Sequence, residues 1–382
     1  MNIYYWSPFI THVATVRSVI NSASSLNSYS DKYSTYIINV AGEWNIYKKE
    51  LSAKNIKIIN LTSSSIIDNK KVSGFFKSRF IYIYLFIISL FPLMKLLKSK
   101  PPNFFIIHLI SPLPLILNYF FNFDTKMVLR ISGLPKLNLI RKILWKITLK
   151  KSYFITCPTV ATKKDIEKLN IVNKNKIHVL YDPIISTKNI IKNSFINVDL
   201  KYKNYFLAVG RLTKQKNFLF LIEVFKNFNE NKKNTLIIVG EGEQKKELLN
   251  YIEKNNLKES VFIYNFTNNI FSFYKNSKCF VLSSLWEDPG FVLVEASYMN
   301  VPIISSNCKN GPEEILEYGK NGMLFNNNDK NNLLSVFKKF ENLTEKEINE
   351  FKINAKIKSK DFTIFNHFKK INYLFENYEP TK

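Results

Sequence analysis

The stretch CFVLSSLWEDPGFVLVEASYMN, from Cys279 to Asn300, changes its periodicity halfway along. Cys279 to Leu282 is a short continuous apolar run, which reads as a strand buried on both faces of a parallel sheet. Trp286-Glu287-Asp288-Pro289-Gly290 is a turn, with Pro and Gly in succession. Beyond it, Phe291, Val294, Glu295 and Tyr298 recur at spacings of three and four, which is one side of a helix. A strand end, a glycine and a helix start therefore meet, flanked by Glu287 and Glu295, eight positions apart. Helix N-termini present unpaired amides and a partial positive charge, a natural seat for phosphate. Gly290, lacking a Cβ, lets phosphate oxygens approach the amides of Phe291, Val292 and Leu293. A carboxylate beside phosphate is repelled by it, so Glu287 and Glu295 are read as groups that hold hydroxyls. Phosphate with hydroxyls describes a nucleotide sugar. First-turn glutamates and Pro-Gly turns also arise for local reasons alone, so the reading leans on the surrounding segments.

Those segments alternate in the same way. Toward the N-terminus, Ile3–Trp6, Thr35–Val40, Ile56–Asn60, Phe104–Leu109, Lys126–Ile131, Phe154–Thr156 and Ile177–Leu180 read as strands with helical patterns between most of them. Around Tyr181-Asp182-Pro183 the pattern breaks, and Asn, Lys and Ser dominate as far as Lys203, which reads as an interdomain linker. A second series follows, with strands at Tyr205–Val209, Thr235–Val239, Val261–Tyr264, Cys279–Leu282, Pro302–Ser305 and Gly322–Leu324. Alternation of this kind builds βαβ units on a parallel sheet. The fold class expected is α/β, with two Rossmann-like domains, residues 1–185 and 186–360, facing each other across a cleft. A last helix over about 361–382 is expected to return to the first domain.

A length of 382 residues suffices for two cores, and 46% hydrophobic content excludes disorder as the main state. The net charge of +25 invites a nucleic-acid reading, but the lysines are scattered and no Arg–aromatic platform accompanies them, so no nucleic-acid partner is expected. A basic surface that meets anionic lipid, or gathers phosphorylated substrates, fits better. Cys157, Cys279 and Cys308 are too few and too dispersed for a disulfide framework or a zinc site, and the first ten residues lack a charged n-region. The expected location is cytoplasmic, with peripheral attachment to the inner face of the membrane as a further expectation. Phe80 to Met94 carries no charge, but it is short for a span and is expected to break at Pro92. With Lys77, Arg79, Lys95 and Lys98 around it, the region 75–98 reads as a helix lying on a membrane surface or as a buried helix, a transmembrane helix being the third alternative.

Each strand of the second series ends in a distinctive loop. Gly210-Arg211-Leu212 leads to Lys216-Asn217, so one strand end delivers a planar guanidinium and a compact ammonium five positions apart, suited to a diphosphate. Val239-Gly240-Glu241-Gly242 is a tight glycine turn. The order G-R-L-x3-K-N, V-G-E-G, F-V-L-S-S-x2-E-D-P-G-F-V-L-V-E-A, N-G-P-E-E-I and N-G-M-L-F resembles the family-4 retaining glycosyltransferases of the GT-B fold, densely from Phe206 to Phe325. In the N-terminal half the resemblance rests on Arg130 to Lys136, Cys157-Pro158-Thr159 and Leu180-Tyr181-Asp182-Pro183.

The resemblance implies that Arg211 and Lys216 bind the donor diphosphate and stabilise it as a leaving group. It implies backbone contacts from Gly290, Phe291 and Val292, with Gly210 in the first loop. Glu287, first of the E-x7-E pair, would contact the donor sugar, and Glu295 the ribose hydroxyls. The base would lie near Tyr264-Asn265-Phe266, and His108 would stand close to the transferred sugar. Arg130 is open to two readings, an acceptor-phosphate ligand or a surface Arg. His12 follows the first strand where many relatives have a glycine pair, so no contact is carried over for that loop. Breaking a glycosyl–phosphate bond builds negative charge on the diphosphate, which preorganised cations and helix-end amides stabilise. No Asp-x-Asp stands at a strand end, and a metal-independent enzyme without a cofactor is expected. The expected partners are a nucleotide-sugar donor and a glycan or lipid-linked acceptor. A sugar-nucleotide 2-epimerase on the same scaffold, or an inactive binding partner, are the alternatives.

Overall fold

A computed structural model describes residues 1–10, 14–63, 75–133, 138–187, 190, 202–231, 233–267 and 269–379. Thr11-His12-Val13 and the stretch from Leu134 to Leu137, both singled out in the sequence, lie outside the described residues. The chain divides into two compact units, Met1–Pro183 with Ile364–Lys382, and Ile184–Thr363.

The first unit runs β1 (Asn2–Trp6), α1 (Ala14–Tyr29), β2 (Ser34–Asn39), α2 (Lys48–Ala53), β3 (Lys57–Asn60), α3 (Phe75–Ser99), β4 (Phe104–Ile107), α4 (Pro112–Phe120), β5 (Lys126–Arg130), α5 (Leu139–Thr148), β6 (Phe154–Cys157), α6 (Val160–Lys168) and β7 (Ile177–Val179). The strands form a parallel sheet in the order β3-β2-β1-β4-β5-β6-β7. The order reverses between β1 and β4, where Tyr5 pairs with Ile106 and Trp6 with Ile107. Strands buried on both faces explain the apolar runs, and two cores result. Helices α3 to α6 cover one face through Leu85, Leu93, Leu97, Leu113, Trp145 and Ile166. On the other face α1 and the last helix of the chain, α14 (Ile364–Asn377), bury Val19, Ile20, Ile371 and Phe375.

The expectation that Pro92 breaks its segment is overturned, because α3 runs through it as one helix of 25 residues. An interior proline loses one backbone bond and strains the preceding turn, costing about 3 kcal/mol. Leu85, Leu93 and Leu97, all buried in the core, are worth about 1.5–3 kcal/mol each and outweigh that cost.

The second unit contains β8 (Tyr205–Val209), α7 (Phe218–Phe228), β9 (Leu236–Val239), α8 (Lys245–Lys254), β10 (Val261–Tyr264), α9 (Phe271–Asn276), β11 (Ser277–Leu282), α10 (Phe291–Tyr298), β12 (Ile303–Ser306), α11 (Pro312–Ile315), β13 (Met323–Phe325), α12 (Lys330–Glu341) and α13 (Glu345–Ser359). Its parallel sheet has the order β10-β9-β8-β11-β12-β13, reversing between β8 and β11. The core is aromatic-rich, with Phe206 set against Phe225, Phe337 and Phe340. Open parallel sheets offer a ligand crevice where the strand order reverses, beyond the strand C-termini. In this unit that point lies past Val209 and Leu282.

Candidate active site

The loop after β8 and the loop after β11 are tied together at that reversal. The Leu285 amide donates to the Gln215 carbonyl at 2.8 Å, and Gln215 Nε2 donates to the Trp286 carbonyl at 2.9 Å. Ser283 Oγ donates to the Lys216 carbonyl at 2.7 Å. With both backbones fixed, Lys216 Nζ comes within 2.5 Å of Glu287 Oε1, and Ser284 Oγ donates to the same oxygen at 2.5 Å. The Lys216 and Glu287 side chains are only 12% and 6% exposed.

Glycines make this packing possible. A Cβ on Gly210 would lie 2.8 Å from Lys216 Cε, so the lysine stem crosses the bare α-carbon. A Cβ on Gly240 would fall 1.8 Å from the Gly210 carbonyl oxygen, which locks the β8 and β9 turns against each other. Gly290 has φ of 97°, a conformation that favours glycine, and sits against Glu287, whose Cγ is 3.5 Å from the missing Cβ. Gly290 caps α10, and the amides of Phe291 and Val292 make no hydrogen bond among the described residues. The Leu293 amide, expected to be open, instead donates to the Gly290 carbonyl at 3.0 Å. Two amides, not three, remain for an anion.

Glu295, one turn into α10, accepts from Tyr274 Oη at 3.3 Å, and the same hydroxyl reaches the Val292 carbonyl at 3.1 Å. Burial raises the Glu295 carboxyl to about pH 7, with the Tyr274 hydrogen bond and the Lys216 charge pulling the other way. Cys308, buried after β12, is raised to about 11 by burial and feels the charges of both Glu287 and Lys216. Lys216, Glu287, Gly210, Gly290, Phe291, Val292 and Glu295 thus belong to one neighbourhood.

Arg211 stands at the same strand end, exposed, its guanidinium making no hydrogen bond or ion pair among the described residues. Asn265 and the 67% exposed Phe266 follow β10, two strands away, and Asn265 Oδ1 accepts from Lys245 Nζ at 2.5 Å. Sequence reasoning missed Tyr274, Ser283 and Ser284. The Ser-Ser pair closing β11 was a legible signal, whereas nothing local marks Tyr274, which sits on a different helix from its partner.

His108 belongs to the first unit and is buried there. Its amide donates to the Trp6 carbonyl at 2.8 Å, and its Nδ1 has no partner among the described residues. Burial first, then the Arg130 charge, holds it well below the usual histidine range, so it is neutral. Ser18, Ser22, Arg130, Thr156 and His367 join it around a small cavity with room for about one water. Arg130 fits neither sequence reading. It is 3% exposed and ion-paired through Nη2 to Asp182 Oδ1 at 2.7 Å, while Nη1 donates to the Leu180 carbonyl. A strand-end arginine turned inward must be neutralised, and Asp182 does this. Among the described residues no three His, Cys, Asp or Glu side chains gather as a metal would need.

Comparison with known proteins agrees with this geometry. Residues 189–358 match the profile of the family described as Glycosyl transferases group 1. An uncharacterized glycosyltransferase of Methanocaldococcus jannaschii is 32% identical over 308 residues, which is 72% of this chain and 74% of that protein. The N-acetylgalactosamine-N,N'-diacetylbacillosaminyl-diphospho-undecaprenol 4-alpha-N-acetylgalactosaminyltransferase of Campylobacter jejuni is 28% identical over 59% of this chain and 60% of its own length. In fold, the crystal structure of a glycosyltransferase from Rickettsia africae superposes with a TM-score of 0.76 over 99% of both chains, at 15% identity. A chain with this fold and this extent of likeness belongs to the glycosyl transferases group 1 family, and is a glycosyltransferase.

Proposed function

We propose that this chain transfers a sugar from a nucleoside diphosphate donor to a glycan or lipid-linked acceptor, with retention, as a family-4 enzyme. One observation carries the donor assignment: Lys216 laid across Gly210 and paired with Glu287 beside the open amides of Phe291 and Val292. In this reading Lys216 and Arg211 hold the diphosphate. Lys216 has two further donor positions besides the one facing Glu287. Glu287 keeps its second oxygen for a donor-sugar hydroxyl, Glu295 takes the ribose hydroxyls, and Asn265 with Phe266 receives the base. As the glycosyl–phosphate bond lengthens, negative charge grows on the diphosphate, where the two cations and the α10 amides stabilise it. Two cations in this role remove the need for a metal. Attack on the same face of the sugar, assisted by the departing phosphate, gives retention without an enzymic nucleophile.

The acceptor setting is surface-polysaccharide or lipid-linked glycan assembly at the cytoplasmic face of a membrane. The diphospho-undecaprenol in the name of the Campylobacter relative supports that setting, as does the basic charge balance. A panel of nucleotide sugars tests the reading. The matching donor raises the melting temperature and releases its nucleoside diphosphate when acceptor is added. Isomerised sugar from donor alone would point to an epimerase, and donor turnover unaffected by Lys216→Ala would overturn the assignment.

A further inference from the structure

The largest exposed apolar side chains of the first unit gather on the helix layer α3 to α5. Phe80, Ile83, Ile87 and Phe91 recur at spacings of three, four and four along the outward side of α3, with Phe80 71% and Phe91 70% exposed. Leu85, Leu93 and Leu97 hold the opposite side in the core. Helix α5 repeats the arrangement. Trp145 and Thr148 face inward, while Leu139, Ile140, Ile143 and Ile147 are exposed, Ile140 at 76%. Helix α4 packs against both α3 and α5 and ends on Phe120, 73% exposed. A soluble helix normally turns polar side chains outward. Here the two helices that flank α4 present aliphatic and aromatic rows instead, and patches of this kind mark interaction sites.

The charge around these rows selects the partner. Asp124 is the single acidic residue between Asp68 and Asp165, a stretch that carries Lys95, Lys98, Lys100, Lys142, Lys146 and Lys150 among many basic residues. Apolar rows rimmed by lysine match the boundary between acyl chains and anionic headgroups. A second copy of the chain would set one basic rim against another. Arg79–Ser99 of α3 is long and apolar enough to cross a bilayer, but crossing would withdraw Leu85, Leu93 and Leu97 from the core, and a surface role keeps that packing. Helix α5, at ten residues, is about 15 Å long, half the thickness of a bilayer core.

We propose that the outward faces of α3 and α5 form one docking surface for an anionic lipid bilayer, with the acyl boundary receiving Phe80, Ile87, Phe91, Ile140 and Ile143. This rests on the membrane setting of the proposed function and specifies which residues meet the lipid. Helix α5, whose sequence spacing shows an apolar face, is as much a part of the surface as α3.

Flotation with vesicles tests it, using phosphatidylcholine alone and phosphatidylcholine mixed with phosphatidylglycerol. The chain is expected to float with the mixed vesicles and far less with phosphatidylcholine, and added salt weakens the binding. Ile87→Glu/Phe91→Glu and, separately, Ile140→Glu/Ile143→Glu each reduce the bound fraction about tenfold or more, with melting temperature and donor turnover unchanged. Wild-type chain that remains free overturns the proposal. So does an α5 variant that floats like wild type, even if the α3 variant is lost, or a dimer in solution that both variants dissolve. Flotation without any donor turnover would support the docking surface and count against the transfer reading alone.

Discussion

Lys216 Nζ lies 2.5 Å from Glu287 Oε1, and both side chains are almost withdrawn from solvent. Their carrier loops follow different strands, 71 positions apart in sequence. Removing one partner of a buried pair leaves the other charge uncompensated, at a cost of about 3–5 kcal/mol. Lys216→Met is therefore expected to lower the melting temperature and to reduce donor turnover by about 10²–10³-fold, the loss typical of a preorganised electrostatic group. Lys216→Met/Glu287→Gln should recover much of the stability and none of the turnover, as measured by calorimetry and by nucleoside diphosphate release.

The Glu295 carboxyl is raised to about 7, above its usual 4.5, chiefly by burial. A raised carboxylate contributes stability below the unfolded value and loses it as pH rises through the folded one. Glu295→Gln should thus melt higher than wild type at pH 8 and equally at pH 4. Binding has the opposite dependence, because only the carboxylate accepts two hydroxyls. The Michaelis constant for donor should rise as pH falls below about 7, and the slope should flatten in Glu295→Gln.

His367 on α14 takes the Tyr181 carbonyl at 2.8 Å on Nδ1 and Ser22 Oγ at 2.9 Å on Nε2, and burial first of all lowers it to about 4. A depressed histidine stabilises the fold above its unfolded value of 6.5, and that contribution is lost as pH falls toward 4. The loss reaches about 3 kcal/mol. Urea unfolding of the first unit between pH 7.5 and 4.5 should show it, and His367→Gln should shrink the decline.

Gly240 has no room for a side chain, since its Cβ would meet the Gly210 carbonyl oxygen at 1.8 Å. Backbone cannot move aside as a flexible side chain can. Gly240→Ala is expected to destabilise by about 1–3 kcal/mol and to weaken donor binding by displacing the Gly210 turn under Lys216.

Asp182 neutralises Arg130 and also accepts from Ser18 Oγ. Asp182→Asn should lower the melting temperature by several degrees and Arg130→Met by less, because the first leaves an unpaired buried cation and the second an anion with a hydroxyl donor.

Period and punctuation revealed most of the fold. Continuous apolar runs such as Phe104–Ile107 and Cys279–Leu282 announced strands buried on both faces, and Gly-Arg-Leu and Pro-Gly marked where loops leave them. The cluster of Lys216, Glu287, Gly290 and Glu295 was visible because its members stand close in sequence to strand ends. What stayed hidden depended on tertiary context. Nothing near Arg130 announced that Asp182 would face it, and Tyr274 meets Glu295 only through packing of α9 beside α10. Pro92 misled because a local rule was overridden by buried leucines four and eight positions apart.

Helix α14 completes the face of the first sheet that α1 begins, with Phe375 stacked on Phe104 at 3.9 Å between ring centroids. During synthesis that helix is made after the whole of Ile184–Thr363. The unit formed by Ile184–Thr363 has every one of its strands before α14 emerges from the ribosome, whereas the unit that contains Met1–Pro183 must wait with Phe104 lacking its Phe375 partner and Ser22 lacking His367. Order of birth and order of completion are therefore inverted, and the half that starts first needs protection from aggregation for the longer time.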